Sequence, residues 1–432
     1  MKILRAGEKE FERYLSEMEG RGTQDVFRFE KKVRSILKDV KNRGDEALVH
    51  YTQVFDDLSI PSQQLQVKKG EVKAAYRKIP SDLLGTIKKA AHRIQKFHRL
   101  QSKRFILPLK GEDHGIRLEQ VLRPLDKVGI YVPGGKASYP STVLMAAIPA
   151  KAAGVAEVIM VTPPQKEGIN PAVLVAADLA GVDRIYRIGG VQAIAALAYG
   201  TKSVPKVDKI VGPGNQYVAT AKRLVYGEVD IDMVAGPSEI LIVSEKEMDP
   251  SFVAADLISQ AEHDEMALTI LITNSEIFGR IVDQEVKRQL SSLKRRKVAS
   301  KSLQRRGAIL IVKRLAQAMP LVNRIAPEHL ELLVSKPLPL MKDLKHAGAV
   351  FLGPYTPEAI GDYMAGPNHI LPTAGTARFS SSLGTEDFVK RTNLVRFTER
   401  ALARFEKDVK RFSEWEGLEG HARAVQMRMK RA

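Results

Sequence analysis

The stretch Ala326-Pro327-Glu328-His329-Leu330 sets a carboxylate beside an imidazole, directly after a proline and before an apolar run. A neighbouring Glu and His can supply a general base and a second proton carrier within one site. Proline suits the first turn of a helix, where its missing N–H costs nothing. The stretch therefore predicts a helix start, with Glu328 near the end where negative charge is favoured. A capped helix with two solvated side chains would read the same way, so the weight falls on the other polar stretches.

Three of these look arranged. Ser259-Gln260-Ala261-Glu262-His263-Asp264 ends a predicted helix and places Gln260 and His263 on one face, three residues apart. A Gln carbonyl oxygen and a His nitrogen could ligate one metal ion. Gly361 to His369 adds Asp362 and His369 on a constrained loop, and Glu416 to His421 adds a carboxylate and an imidazole near the C-terminal end. The chain has no cysteine. Disulfides are therefore impossible, and a metal would take His, Asp, Glu, Gln or Asn ligands, which favours Zn, Mn, Fe or Mg and excludes thiolate-held iron–sulfur clusters. None of the spacings is a recognised signature such as HExxH. His50, His92, His98, His114 and His346 read as ordinary surface or core histidines, and Trp415 as a packing residue.

The elements that must position these groups change character along the chain. Residues 1–25 predict a short charged helix, 26–53 a helix interrupted at Arg43-Gly44-Asp45, and 70–102 two helices divided at Ile79-Pro80-Ser81. From residue 129 short apolar runs alternate with helical stretches. Strands are expected at 129–132, 157–161, 184–187, 209–211, 239–243, 267–272, 308–312 and 348–352. Such alternation belongs to βαβ units and a mostly parallel sheet. Turns bearing Gly134-Gly135, Gly189-Gly190 and Gly212-Pro213-Gly214 follow three of the strands. Open parallel sheets bind ligands beyond the carboxyl ends of their strands. Gly212-Pro213-Gly214-Asn215-Gln216-Tyr217 keeps the first two glycines of a dinucleotide fingerprint but has tyrosine at the third, and no P-loop lysine–hydroxyl pair is present. Residues 361–385 read as a long ordered loop, and 398–410 and 418–429 as two closing helices.

Composition narrows the class. A chain of 432 residues, 44% hydrophobic and 27% charged, is long enough for two or three domains with substantial cores. It has no run of transmembrane length and no signal-peptide core, which predicts a cytoplasmic protein. The formal charge of +18 is uneven: Lys287 to Arg314 holds eleven Lys or Arg and no acidic residue, and Arg423 to Arg431 is also basic. No nucleic-acid motif accompanies these runs, and they lack interleaved aromatics, so they read as solvated basic surface, with nucleic-acid binding by 287–314 as the alternative from another class.

The quoted motifs together resemble the histidinol dehydrogenase family. The matching stretches are Tyr131 to Gly135, Gly189 to Ala193, Gly212 to Asn215, Ala235 to Glu239, Ser259 to His263, Ala326 to Leu330, Gly361 to His369 and Glu416 to His421, in the family's order. The resemblance implies an NAD-dependent, zinc-containing homodimer that oxidises L-histidinol through L-histidinaldehyde to L-histidine with two NAD+, at the end of histidine biosynthesis. Carried over, it implies zinc ligands Gln260, His263, Asp362 and His421, one ion per subunit, and a catalytic pair Glu328 and His329. Ser238, Glu358, His369 and Glu416 join the ligands and His329 in holding substrate, and Tyr131, Gln192 and Asn215 contact the cofactor. The fold implied is α/β, with two Rossmann-like open-sheet domains and an incomplete dinucleotide fingerprint, N-terminal helices and a C-terminal helical tail. Residues 1–25 would form the N-terminal segment, 26–128 with 237–381 a discontinuous domain carrying the zinc and catalytic residues, 129–236 the NAD-contacting domain, and 382–432 a tail reaching the partner subunit. A zinc dehydrogenase of another amino alcohol or of a sulfonate diol, and an inactive homologue, remain open.

Overall fold

The computed structural model describes residues 1–22, 29–105, 107–134 and 138–429. Gly135 of the first glycine turn, residues 26–28 of the expected second helix and residues 430–431 of the basic end lie outside these.

The chain opens with strand β1 (Lys2–Arg5) and helix α1 (Lys9–Glu19), where a single helix is expected over 1–25. The strand exists because it pairs along the edge strand of a sheet formed from residues three hundred positions later, Lys2 opposite Ala308. Four residues carry no period that could announce it. Next come α2 (Glu30–Arg43) and α3 (Asp45–Asp56), separated at Gly44, whose φ of 54° suits glycine. Helices α4 (Lys69–Lys78) and α5 (Ser81–Phe105) divide at Pro80, as predicted. A hairpin missed from the sequence follows, β2 (Leu109–Asp113) and β3 (Ile116–Pro124). Its two turn residues, His114 and Gly115, both take positive φ, the geometry that matches strand twist in a two-residue loop.

Regular alternation then begins with β4 (Lys127–Tyr131), α6 (Pro140–Ala153), β5 (Glu157–Val161), α7 (Pro171–Leu179), β6 (Arg184–Tyr186), α8 (Gly190–Tyr199), β7 (Lys209–Val211), α9 (Gln216–Val225) and β8 (Asp230–Ile231). It resumes with β9 (Glu239–Ser244), α10 (Pro250–Ala261), β10 (Leu268–Thr273), α11 (Glu276–Leu290), α12 (Arg296–Arg305), β11 (Ala308–Ile311), α13 (Ala318–Ile325), β12 (His329–Leu333), α14 (Pro337–Met341), β13 (Ala349–Leu352) and α15 (Glu358–Tyr363). Strand β14 (Val389–Phe397) and helices α16 (Glu399–Trp415) and α17 (Glu419–Met429) close the chain.

The fold is α/β with open parallel sheets, as the sequence predicts. One parallel sheet has the order β6-β5-β4-β7-β8 and the other β1-β11-β10-β9-β12-β13. Counted from the first strand of each alternating run, both follow the doubly wound pattern, reversing direction between β4 and β7 and between β9 and β12. A third sheet, antiparallel β14-β3-β2, is an addition the sequence reading did not contain. Its strands alternate weakly and are mostly exposed.

Each parallel sheet is covered on both faces, which is why its strands read as continuous apolar runs. Helices α4–α7 bury one face of the five-stranded sheet, with α6 contributing nine buried residues, and α2, α3, α8 and α9 bury the other. Residues 30–105 therefore pack on the sheet of the 129–236 segment, whereas the expectation groups them with 237–381. Helices α1 and α13 cover one face of the six-stranded sheet and α10–α12 the other. Among the described residues no helix is long and apolar enough to cross a membrane. Several cations of the 287–314 run are paired on the surface: Lys287 with Asp283, Arg288 with Glu285, and Lys301 and Arg305 with Glu265.

Candidate active site

Glu328 and His329 do not open a helix. Helix α13 ends at Ile325, and Ala326 takes a left-handed conformation with φ 50°, its N–H bonded to the Val322 carbonyl at 2.7 Å. A left-handed residue followed by proline is the signature of a helix stop. The alternating His329-Leu330-Glu331-Leu332 then runs as β12 between β9 and β13. Proline thus marks the exit from one element rather than the entry to the next, which corrects the helix-start expectation.

This places both residues at the amino end of a central strand, where the neighbouring strand supplies their partners. Glu328 and His329 are 6% and 4% exposed. The Glu239 N–H, at the start of β9, donates to Glu328 Oε2 at 2.8 Å. The Glu239 carbonyl lies 2.9 Å from His329 Nδ1. A carbonyl can only accept, so Nδ1 carries the proton and Nε2 presents a bare lone pair. That lone pair faces Glu358 Oε1 at 3.8 Å.

The electrostatics are those of a crowded, water-poor acidic site. Burial pushes His329 down to about 4, against the pull of Asp362, so its imidazole is neutral at pH 7. Burial raises Glu328 well above the usual carboxylate range, and the charges of Glu239, Asp362 and Glu358 add to that. Glu358 is pushed up to about 9, by burial first and by Asp362 next. Burial acts upward on Asp362 too, but the His369 hydrogen bond and the neighbouring His369, His329 and His263 outweigh it and hold it at about 2. His369 Nδ1 lies 3.1 Å from Asp362 Oδ1.

His329, Glu358 and Asp362 offer ligand atoms within 4.8 Å of one another. Gln260, in the last turn of α10, is 1% exposed, and its Oε1 is buried without a hydrogen-bond partner. An orphaned buried amide oxygen, together with the clustered imidazole and carboxylates, offers the oxygen and nitrogen donors a borderline cation takes, so the residue types fit a zinc ion. His263 lies in the exposed turn after α10 and within electrostatic reach of Asp362. Ser238 is half-buried immediately before β9. Glu416 and His421 stand on the exposed tail, and among the described residues no hydrogen bond or ion pair joins either side chain to the cluster.

The remaining expected residues gather at the carboxyl ends of the other sheet. The buried Tyr131 hydroxyl accepts the Gly190 N–H at 3.1 Å. Gln192 is 1% exposed, and its Oε1 also lacks a partner. Gly212 has φ 108°, and a Cβ there would fall 2.3 Å from the Tyr131 carbonyl oxygen, so the β4 and β7 exits touch at the strand-order reversal. Asn215 caps α9 by accepting from the Tyr217 and Val218 N–H groups at 3.0 and 3.1 Å. Tyr217, in place of the third fingerprint glycine, packs against Phe29 with ring centroids 4.5 Å apart. The loop after β4 ends at Tyr139, which lies within electrostatic reach of Tyr363, the neighbour of Asp362.

Sequence reasoning missed two supporting groups. Glu331 is wholly buried on β12 and accepts the Glu358 N–H at 2.6 Å, fixing the start of α15. Its partner Asp256, on α10, is pushed up to about 6 by burial. The available signal was a lone acid inside an apolar strand. The role of Glu239, played through its main chain, left no local signal.

The comparisons with known proteins agree on one family. The family model for histidinol dehydrogenase matches residues 19–429. The chain is 52% identical over 430 residues to histidinol dehydrogenase of Syntrophotalea carbinolica, covering 100% of this chain and 99% of the relative. It is 50% identical over 431 residues to that of Geobacter sulfurreducens, covering 100% of each. The crystal structure of histidinol dehydrogenase from Elizabethkingia anophelis superposes with a TM-score of 0.92 at 36% identity, covering 100% of this chain and 98% of that one.

Proposed function

The chain belongs to the histidinol dehydrogenase family, and from that premise we propose that it oxidises L-histidinol through L-histidinaldehyde to L-histidine, reducing two NAD+. The observation that carries the reading is His329: buried, neutral, held by the Glu239 carbonyl, with Nε2 turned toward a carboxylate cluster.

In the first oxidation His329 Nε2 takes the alcohol proton as hydride leaves the same carbon. A neutral imidazole fixed in one tautomer needs no reorganisation for this. In the second, Glu328 takes a proton from water, whose oxygen adds to the aldehyde carbon. His329 then accepts a hydroxyl proton of the resulting diol as the second hydride leaves. NAD+ supplies the hydride acceptor. Gln260, His263, Asp362 and His421 would hold zinc, which when bound would supply a template for nitrogen donors of the substrate and a positive charge that favours the ionised form of nearby carboxyl groups. Ser238, Glu358, His369 and Glu416 hold the substrate around it. Asp362, held at about 2, keeps a negative charge in the site, which suits an amine-bearing substrate.

Tyr131, Gln192 and Asn215 line the cofactor side. The unpartnered Gln192 oxygen supports this, because a buried acceptor calls for a donor from a ligand. The exposed tail supports a homodimer in which Glu416 and His421 complete the partner's site: Trp415 is 92% and Phe412 71% exposed on a helix with little of its own chain to cover it. A biosynthetic dehydrogenase of this kind belongs in the cytoplasm.

Separate assays with histidinol and histidinaldehyde test the assignment. Glu328→Gln is expected to lower aldehyde oxidation on the order of 10²-fold or more while sparing the alcohol step. Equal losses in both steps would remove the water-activating role.

A further inference from the structure

Glu239 touches no reacting group in this reading, yet it holds both residues that do. Its N–H binds Glu328 and its carbonyl binds His329, at 2.8 and 2.9 Å. What fixes Glu239 is Arg21, two residues beyond α1. The guanidinium grips the carboxylate with two hydrogen bonds, Nε to Oε1 at 2.5 Å and Nη2 to Oε2 at 2.7 Å. The side chains are 2% and 3% exposed. Nη1 donates to the Met18 carbonyl, and Nη2 also reaches the Ala326 carbonyl at 3.4 Å. Glu239 Oε1 accepts a third donor, the Ala374 N–H, at 3.1 Å.

These attachments share a pattern. Among the described residues, four non-glycine positions have positive φ, and two of them, Ala326 at 50° and Ala374 at 56°, bond to this ion pair. Ala326 lies two residues before Glu328, and Ala374 five residues after His369. Left-handed alanine is disfavoured and persists where its surroundings hold it. Replacing a buried ion pair by apolar groups of similar size is often neutral for stability, so stability alone gives the pair little purpose. It closes three segments, α1, the α13–β12 junction and the loop carrying His369, around the peptide that orients the proton carriers.

We infer that Arg21 is a positioning residue for both oxidations, locking Glu239 so that its main chain presents Glu328 and His329 in reactive geometry. This rests on the roles given above to those two residues. Removing one partner leaves a buried charge and endangers folding, so the informative variant is the double one, Arg21→Met with Glu239→Met, assayed on the zinc-loaded full-length protein. Its kcat is expected to fall roughly tenfold to a hundredfold with both histidinol and histidinaldehyde. Zinc content should stay within about twofold, because among the described residues the pair makes no bond to Gln260, His263, Asp362 or His421. The KM for histidinol should rise by less than kcat falls, since the pair ties down the loop carrying His369 but touches no substrate-holding side chain other than His329. Arg21→Lys, which keeps the charge but not the two-point grip, should lie between the double variant and wild type. A folded double variant with kcat within about twofold of wild type overturns the inference. So does a kcat loss matched by lost zinc or by an equal rise in KM, which marks general damage to the site. Glu328→Gln and His329→Asn run in parallel separate the two levels. If Glu328→Gln keeps its aldehyde step or His329→Asn keeps either step, the underlying reading fails; if those steps are lost while the double variant keeps them, only the role of Arg21 fails.

Discussion

The two parallel sheets share a strand order but present opposite ends of their strands to the candidate site. The five-stranded sheet follows the general rule for open α/β sheets: Tyr131 and the Gly212–Asn215 turn lie at the carboxyl ends of β4 and β7, where the order reverses. The six-stranded sheet uses its own reversal point from the other side, with Glu239 and His329 beginning β9 and β12. Their chemistry differs accordingly. At the carboxyl ends Tyr131, Gln192 and Asn215 are neutral, the buried charges at the Gly212 turn, Lys222 and Asp232, are paired with each other, and the glycine-bearing exits approach closely. At the amino ends buried acids and imidazoles crowd together, with His329 pushed down to about 4 and Glu358 up to about 9. In the proposed reading the first edge holds the cofactor closely and the second moves protons. Strand order alone locates only the first.

That contrast can be broken most forcefully at His329. His329→Asn is expected to lower both oxidations by on the order of 10³-fold, whereas Tyr131→Phe should mainly raise the KM for NAD+ by less than about tenfold. Comparable kcat losses from the two would erase the division between edges. Removing zinc with a chelator should abolish activity, and re-addition should restore it. Asp362→Asn should weaken zinc binding by at least about tenfold, read by competition with a metal indicator; unchanged affinity would take Asp362 out of the ligand set.

The tail is tested by mixing. A heterodimer of one His329→Asn chain and one His421→Asn chain, isolated with two tags, has one fully wild-type site if tails are exchanged. It should regain about half the wild-type rate, although each parent homodimer is inactive. A heterodimer as inactive as its parents would mean that each tail serves its own chain.

The acidic edge also predicts a pH signature for the metal-free protein. His329 is depressed below its unfolded value of 6.5, so its protonation favours the unfolded chain, and stability is lost as pH falls from 6.5 through about 4. Glu358 is raised, so its contribution is complete below 4.5 and is lost as pH rises toward about 9. Melting temperatures against pH should therefore flatten on the acid side in His329→Asn and on the alkaline side in Glu358→Gln. Unaltered profiles would contradict both shifts. The smallest effect belongs to the neutral edge: Asn215→Ala should cost about 1 kcal/mol of stability through the lost α9 cap, measured by denaturant unfolding.

The fold was largely legible because helices such as α4 and α5 carry clean periods divided by proline and strands such as β5 read as apolar runs; these were expected within 70–102 and at 157–161. Strands β1 and β12 were missed for a common reason. Each is specified by a neighbour far away in the chain, Ala308 for Lys2 and Ile240 for His329. At Pro327 the local rule was ambiguous, since proline fits both before and after a helix, and left-handed Ala326 decided it. Most candidate site residues were named from motifs, but their supports were not. Glu239 acts through its main chain, which no residue type reveals, and Arg21 meets it across 218 positions.

The most direct test of the whole account is the number of NADH formed per limiting L-histidinol by purified, zinc-loaded protein. The account predicts about two, with loss on chelation, because the same buried pair serves both oxidations. A yield of about one would leave Glu328 without its water-activating role, and none from folded, zinc-loaded protein would contradict the proposed substrate itself.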